Sequence, residues 1–262
     1  MIKVVIILGI IVGVWAQTSS AQTAQSQPAK KVVIQPITIP YTFPEIHVGV
    51  GLTTSWLNGS NPAGGTIFPK DTVNTIGGGF IGQQPGIAVR GIFIMDSARR
   101  FRVTAGLDYI WYTGPQRLEG TGYTFTARHT IDMPTVVLGF EYAFLKLPLA
   151  NAKIYGGVEA RYAFVSNGTF RRKVVYKLID KIQDDTFSTK TDVQRLGAAL
   201  RLGIEGELLD PVYVNISGSY GAINILGRED SRGELLTPTN LSEKQENILG
   251  NIFFTMMVQF RL

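Results

Sequence analysis

His47 and His129 are the only imidazoles in the chain, and it contains no cysteine. Without thiols there is no disulfide, no thiolate metal site and no Cys nucleophile. Two histidines far apart in sequence are a poor stock for a His-based metal centre. One hydrolytic grouping offers itself: Ser166, His129 and Asp132, all near the ends of neighbouring predicted strands. A nucleophile of this type needs a base in hydrogen-bond reach and a strained elbow to present it. No Gly-x-Ser-x-Gly surrounds Ser166, so the trio reads as a chance grouping on a polar rim. Gly77-Gly78-Gly79 lacks a following Lys-Ser/Thr and opens no helix, so it reads as loop and not as a phosphate cradle. No catalytic residue, metal ligand or cofactor is assigned, and the protein is read as a non-enzyme.

The chemistry of this chain lies in charges placed at alternate positions. Seven bases (Arg90, Arg102, Lys153, Arg161, Arg195, Arg201 and Arg261) and four acids (Asp108, Glu141, Glu159 and Glu205) each interrupt a run of apolar residues with period two. Period two is the mark of a β-strand with one polar and one apolar face. Eight segments carry it: residues 46–53, 87–95, 101–111, 135–144, 153–164, 195–205, 212–220 and 251–262. In the third, Phe101, Val103, Ala105, Leu107, Tyr109 and Trp111 alternate with Arg102, Thr104, Gly106 and Asp108. The second is the least regular, because Ile92 and Ile94 fall on the polar side.

The connections are roughly 57–86, 96–100, 112–134, 145–152, 165–193, 207–211 and 221–247, alternating long and short. An up-and-down outer-membrane barrel has short periplasmic turns and long outer loops. Eight strands then put both ends of the barrel on the periplasmic side. Trp56, Trp111, Tyr112, Tyr162, Phe164 and Tyr220 fall near the outer strand ends. Phe101, Tyr142, Phe144 and Phe260 fall near the inner ones. Two aromatic girdles are expected of such a barrel.

Composition agrees. The chain has 262 residues, 45% hydrophobic and 17% charged, with 29 glycines, more than helical domains usually carry. Residues 1–16 combine Lys3 with an apolar run ending at Trp15-Ala16. That run is too short to span a bilayer as a helix and reads as a cleaved signal peptide. Residues 17–43 are rich in Gln, Ser, Thr and Pro and read as a flexible periplasmic lead-in. Residues 44–262 form the predicted barrel. No later segment is continuous enough for a membrane helix.

The signal peptide, the eight amphipathic strands, the stretches Leu138-Gly139-Phe140-Glu141-Tyr142 and Leu202-Gly203-Ile204-Glu205-Gly206, and the final Phe260-Arg261-Leu262 resemble the small bacterial outer-membrane β-barrel domains of the OmpA/OmpX-like and PorT-like type. The resemblance implies an all-β, eight-stranded antiparallel transmembrane barrel. Through its PorT-like side it also implies a place in an envelope or secretion assembly. The chain departs from the usual aromatic last residue, with Leu262 at the end and Phe260 two before it.

An eight-stranded barrel is only wide enough for side chains to fill. Arg90, Arg102, Asp108, Glu141, Glu159, Arg161, Arg195, Arg201, Glu205 and Arg261 are therefore expected to form a paired interior network. The expected function is that of a structural or interaction protein of the cell envelope. A narrow pore preferring anions, drawn from the excess of bases, is the alternative. A soluble lipocalin-like binding barrel comes third. In the third long connection, Arg171, Arg172 and Lys173 could contact anionic lipopolysaccharide. Outer-membrane lipids and an envelope protein are the other expected partners; nucleic acid is not.

Overall fold

A computed structural model describes residues 44–67, 77–188, 192–229, 233–238 and 246–262. The expected signal peptide and the lead-in to residue 43 lie outside the described residues. Nine strands follow in order: β1 (Glu45–Asn58), β2 (Gln83–Ile94), β3 (Phe101–Glu119), β4 (Tyr123–Lys146), β5 (Lys153–Tyr176), β6 (Lys181–Ser188), β7 (Val193–Leu209), β8 (Val212–Leu226) and β9 (Gly250–Arg261). Eight of them close a ring, β1-β2-β3-β4-β5-β7-β8-β9 and back to β1, every pairing antiparallel. The seam between β1 and β9 runs from His47 opposite Arg261 to Asn58 opposite Gly250. It is sealed beyond its end by the Leu262 N–H donating to the Ile46 carbonyl at 2.9 Å.

The alternation in the sequence decides which way each strand faces. On β1, Val48, Val50, Leu52 and Trp56 point outward, while His47, Thr53 and Ser55 are buried. On β7, Leu196, Leu200, Leu202 and Ile204 point outward and Arg195, Arg201 and Glu205 inward. Leu52 and Leu200 are 70% and 67% exposed while Arg102 is 0% exposed. Such a band of apolar side chains around a charged interior is the reverse of a water-soluble protein and suits a hydrocarbon surround. It also inverts the lipocalin arrangement, in which the apolar face lines the lumen. The interior rings of eight-stranded packing require small residues where long ones cross. A Cβ on Gly106 would lie 2.1 Å from the Val89 carbonyl oxygen and 2.7 Å from Cδ of Arg90, the residue opposite it.

Two of the expected long loops are sheet. The β3–β4 ladder continues through Glu119 opposite Thr124, so residues 112–134 form a hairpin with a turn at Gly120–Gly122. Likewise β5 runs on to Tyr176 and turns into β6, which lies outside the ring and pairs with β5 alone. The reason is a reversal of polarity above the lipid band. There Thr126 and Arg128 face out while Phe125, Ala127 and His129 face in, so a search for an apolar outer face passes over them. A one-residue register shift between Thr130 and Asp132, where Asn167 adopts a φ of 50°, marks the changeover.

Tyr112 does not join the outer girdle. It is buried in the lumen, its hydroxyl 2.6 Å from Ser55 Oγ and 3.3 Å from Asn251 Nδ2. Period two requires this, because its neighbour Trp111 faces outward.

Candidate functional site: the sealed lumen

At mid-height the lumen is crossed by one alternating chain of charges. Arg90 Nη1 lies 2.6 Å from Asp108 Oδ1, and Asp108 also accepts from Arg161. Arg161 reaches Glu159 at 2.9 Å, Glu159 holds Arg201 at 2.6 Å, and Arg201 lies 3.5 Å from Glu141. Glu141 and Glu205 each approach Arg102 to 2.8 Å. The order is thus Arg90, Asp108, Arg161, Glu159, Arg201, Glu141, Arg102, Glu205. Four guanidiniums and four carboxylates sum to zero. All eight side chains are at most 4% exposed. They come from β2, β3, β4, β5 and β7, so the chain stitches wall to wall.

Some of these groups also bond or stack on the wall. Arg201 donates to Ser217 Oγ at 2.9 Å. The Arg102 guanidinium sits 4.0 Å from the centre of the Tyr155 ring, and that of Arg161 3.7 Å from the centre of the Phe253 ring. Tyr155 donates to Asn215 Oδ1 at 2.8 Å. Taking a charge out of water is costly unless pairing and hydrogen bonds compensate, and here each guanidinium finds at least one carboxylate.

Arg195 and Arg261 stand apart from this chain, a correction to the single network expected. Arg195, near the long-loop end, makes a two-pronged contact with Glu246 at 2.9 and 2.7 Å. Arg261, at the short-turn end, pairs with Asp210 and is partly exposed. Lys153 lines a cavity at the same end. Three acids outside the expected set, Asp210, Glu229 and Glu246, in the connections or beside them, thus pair with Arg261 and Arg195.

Above the charges sits an apolar lid that alternation did not reveal. Ala63, Phe80, Leu235, Leu236 and Leu249 fold inward from the first and fourth long connections onto Ile110, Tyr112, Met133 and Phe253 of the wall. Leu235 and Leu236 are 0% exposed. The adjacent leucines in a polar, glycine-rich connection were the available signal. The lid is pinned by buried acids. Glu234 accepts from Asn61 Nδ2 at 2.6 Å and from the Asn247 N–H at 2.9 Å, joining the first connection to the fourth. Glu246 accepts from Asn224 Nδ2 at 2.8 Å as well as from Arg195.

Gly78 and His129 belong to this lid. The Gly78 carbonyl can only accept, so His129 donates to it through Nδ1–H at 2.8 Å. The imidazole stacks on Phe80 at 4.7 Å and meets the edge of Phe170 at 5.9 Å. Burial lowers its pKa to about 4, against the gain from the Gly78 bond. Asp132 lies three residues away on the same strand and so faces the opposite side. It accepts from Asn167 Nδ2 at 3.0 Å, and Ser166 Oγ donates to its backbone carbonyl at 3.3 Å. The Ser–His–Asp trio is not brought together.

His47 bonds Glu45 Oε1 at 2.7 Å and meets the Tyr213 ring at a tilt, centroids 4.7 Å apart, at the short-turn mouth. Arg171 and Arg172 lie on the β5 extension. There Arg171 forks onto Asp184 at 2.9 and 2.6 Å, and Arg172 reaches Asp185 at 2.7 Å. The Arg171 hydrogen bond holds the Asp184 carboxyl below its ordinary range. Lys173 stands opposite Asp184 in the β5–β6 register. These bases already have acidic neighbours, which weakens them as an anion site.

Fold and lumen together define a class: a closed, eight-stranded transmembrane β-barrel with charged side chains paired across its interior. Among solved structures, the chain is similar to Ail, the attachment invasion locus protein of Yersinia pestis, at 9% identity and a TM-score of 0.37 over 84% of this chain and 99% of that one. It is similar to Neisserial surface protein A at 8% identity and a TM-score of 0.39, over 83% and 96% of the two chains. It is similar to the outer membrane protein OprG from Pseudomonas aeruginosa at 10% identity and a TM-score of 0.41, over 84% and 96%. No family model and no curated protein matches the sequence.

Proposed function

We propose that this chain is an outer-membrane barrel acting as a structural or interaction protein of the cell envelope, not as a conduit. The observation that carries the reading is the neutral eight-charge chain from Arg90 to Glu205, closed over by the Leu235–Leu236 lid. An ion entering would have to part a paired network in a narrow lumen. The apolar outer band supports residence in a bilayer, and the short-turn end, which holds the start of β1 and the end of β9, is assigned to the periplasm. Lipids are then the partners of the band.

The surface offered to a protein or lipopolysaccharide partner is the sheet β3-β4-β5-β6 that rises beyond the ring. Its tip presents Leu178, Ile179 and Ile182, which are 86%, 67% and 59% exposed. Exposed apolar side chains grouped at a projection favour contact with another molecule.

The test combines three measurements on the full chain. Fractionation should place it in the outer membrane. Gel migration should differ between folded and boiled samples. Planar bilayers containing it should show no steady openings. Recovery in the soluble periplasm without detergent would defeat the membrane reading. Steady conductance altered by changing Arg201 or Glu205 would replace the structural role with the narrow pore.

A further inference from the structure

The short-turn mouth contains a cavity of about 500 Å³ lined in part by Arg99, Lys146, Lys153, Glu205, Glu207 and Tyr213. Lys146 and Lys153 are direct cross-strand partners on β4 and β5. Like charges directly opposite each other destabilise a sheet, yet both residues line the same cavity. Lys153 is only 9% exposed, and among the described residues no carboxylate lies within ion-pair distance of it and no hydrogen bond ends on it.

Of the two acids in the lining, one is ion-paired and the other is hydrogen-bonded to a neutral amide. Glu205 takes Arg102 at 2.8 Å, and Glu207 accepts from Asn151 Nδ2 at 3.1 Å. Arg99, on the turn between β2 and β3, reaches Glu45 at 2.7 Å and brings a guanidinium to the third side of the cavity. Arg99 has Glu45 and Arg102 has Glu205, so Lys146 and Lys153 share the one remaining lining carboxylate, Glu207, and leave room for a further negative partner. Two ammoniums and a guanidinium brought together from β4, β5 and a turn are donors of the kind that bind a phosphate group.

We propose that this mouth cavity binds a phosphate group, gripped between Lys146, Lys153 and Arg99. Free phosphate and the phosphate of a phospholipid headgroup share this chemistry. The test uses the full chain, folded in neutral, phosphate-free detergent. Inorganic phosphate and, separately, glycerophosphoethanolamine are titrated and followed by calorimetry and ³¹P NMR.

Saturable binding of at least one is expected, weakened about tenfold or more by Lys153→Met. Lys146→Gln should weaken it less, and Lys177→Gln on the projecting hairpin should leave it unchanged. Binding of both probes assigns the site to headgroups as well as free phosphate; binding of inorganic phosphate alone assigns it to the free ion. If Lys153→Met loses the gel shift of the folded barrel, Lys146→Gln, at an exposed position, gives the reading. No saturable binding of either probe, or wild-type binding by the folded lysine variants, overturns the proposal. Binding in detergent does not depend on where the barrel resides, so a negative result leaves the proposed envelope role standing.

Discussion

Arg102 of β3 holds Glu141 of β4 and Glu205 of β7 at 2.8 Å each, so one fully buried guanidinium ties opposite walls of the barrel together. The bond to Glu141 is between neighbouring strands, Arg102 standing opposite Glu141 in the ladder. The bond to Glu205 crosses the lumen. Arg102 therefore serves both as a ladder pair and as a brace.

Removing that brace strands the buried Glu205 carboxylate and leaves Glu141 only its 3.5 Å contact with Arg201. Arg102→Met is expected to cost about 3–5 kcal/mol, as for other broken buried pairs. The double change Arg102→Met, Glu205→Gln should recover much of the loss, since three guanidiniums then face three carboxylates and Glu141 keeps Arg201. Urea unfolding midpoints of the two variants in detergent check this; equal midpoints would show that stranded charge is not the cause.

The narrow interior makes glycine matter on one face only. Gly106→Ala would press a methyl onto the Val89 carbonyl at 2.1 Å and should sharply reduce the yield of folded barrel. Gly91 faces lipid, with its nearest neighbour for a Cβ at 3.7 Å. Gly91→Ala should be neutral or stabilising by up to about 1 kcal/mol. The heat-dependent gel shift, scored for both, separates the faces.

On the lipid face the cost of a charged substitution depends on the surround. Leu200, exposed in the middle of the band, should cost about 2–4 kcal/mol when changed to Arg in a bilayer. In a water-soluble barrel the same change at a 67% exposed position would cost little. Unfolding free energies measured in lipid vesicles decide between these outcomes.

The lid should weaken in acid through His129. Its pKa falls from 6.5 to about 4 on folding. Above pH 6.5 neither state binds the proton and the residue adds no pH dependence. Between pH 6.5 and 4 the unfolded chain takes up a proton that the folded one refuses, so stability falls with pH. The loss totals on the order of 3 kcal/mol by pH 4 and grows no further below it. His129→Gln should flatten this part of the profile, read from urea midpoints at pH 7, 5 and 4. An unchanged slope in the variant would assign the acid sensitivity to other groups.

Residue order alone settled the ring. Strict alternation such as Phe101, Val103, Ala105 and Leu107 against Arg102, Thr104, Gly106 and Asp108 puts the charges of eight such strands on one face of the sheet, and the structure shows that face lining the lumen. The same parity separates His129 from Asp132 and turns Tyr112 inward. Which charge meets which was not legible, because pairing across the lumen depends on the stagger of strands far apart in sequence; Arg102 finds Glu205 only once the ring has closed. Nor was the lid, since Leu235, Leu236 and Phe80 lie in connections with no period to read and gain their burial from contact with the barrel's open end. Local periodicity carries the direction of a side chain, whereas its partner is a property of three-dimensional closure.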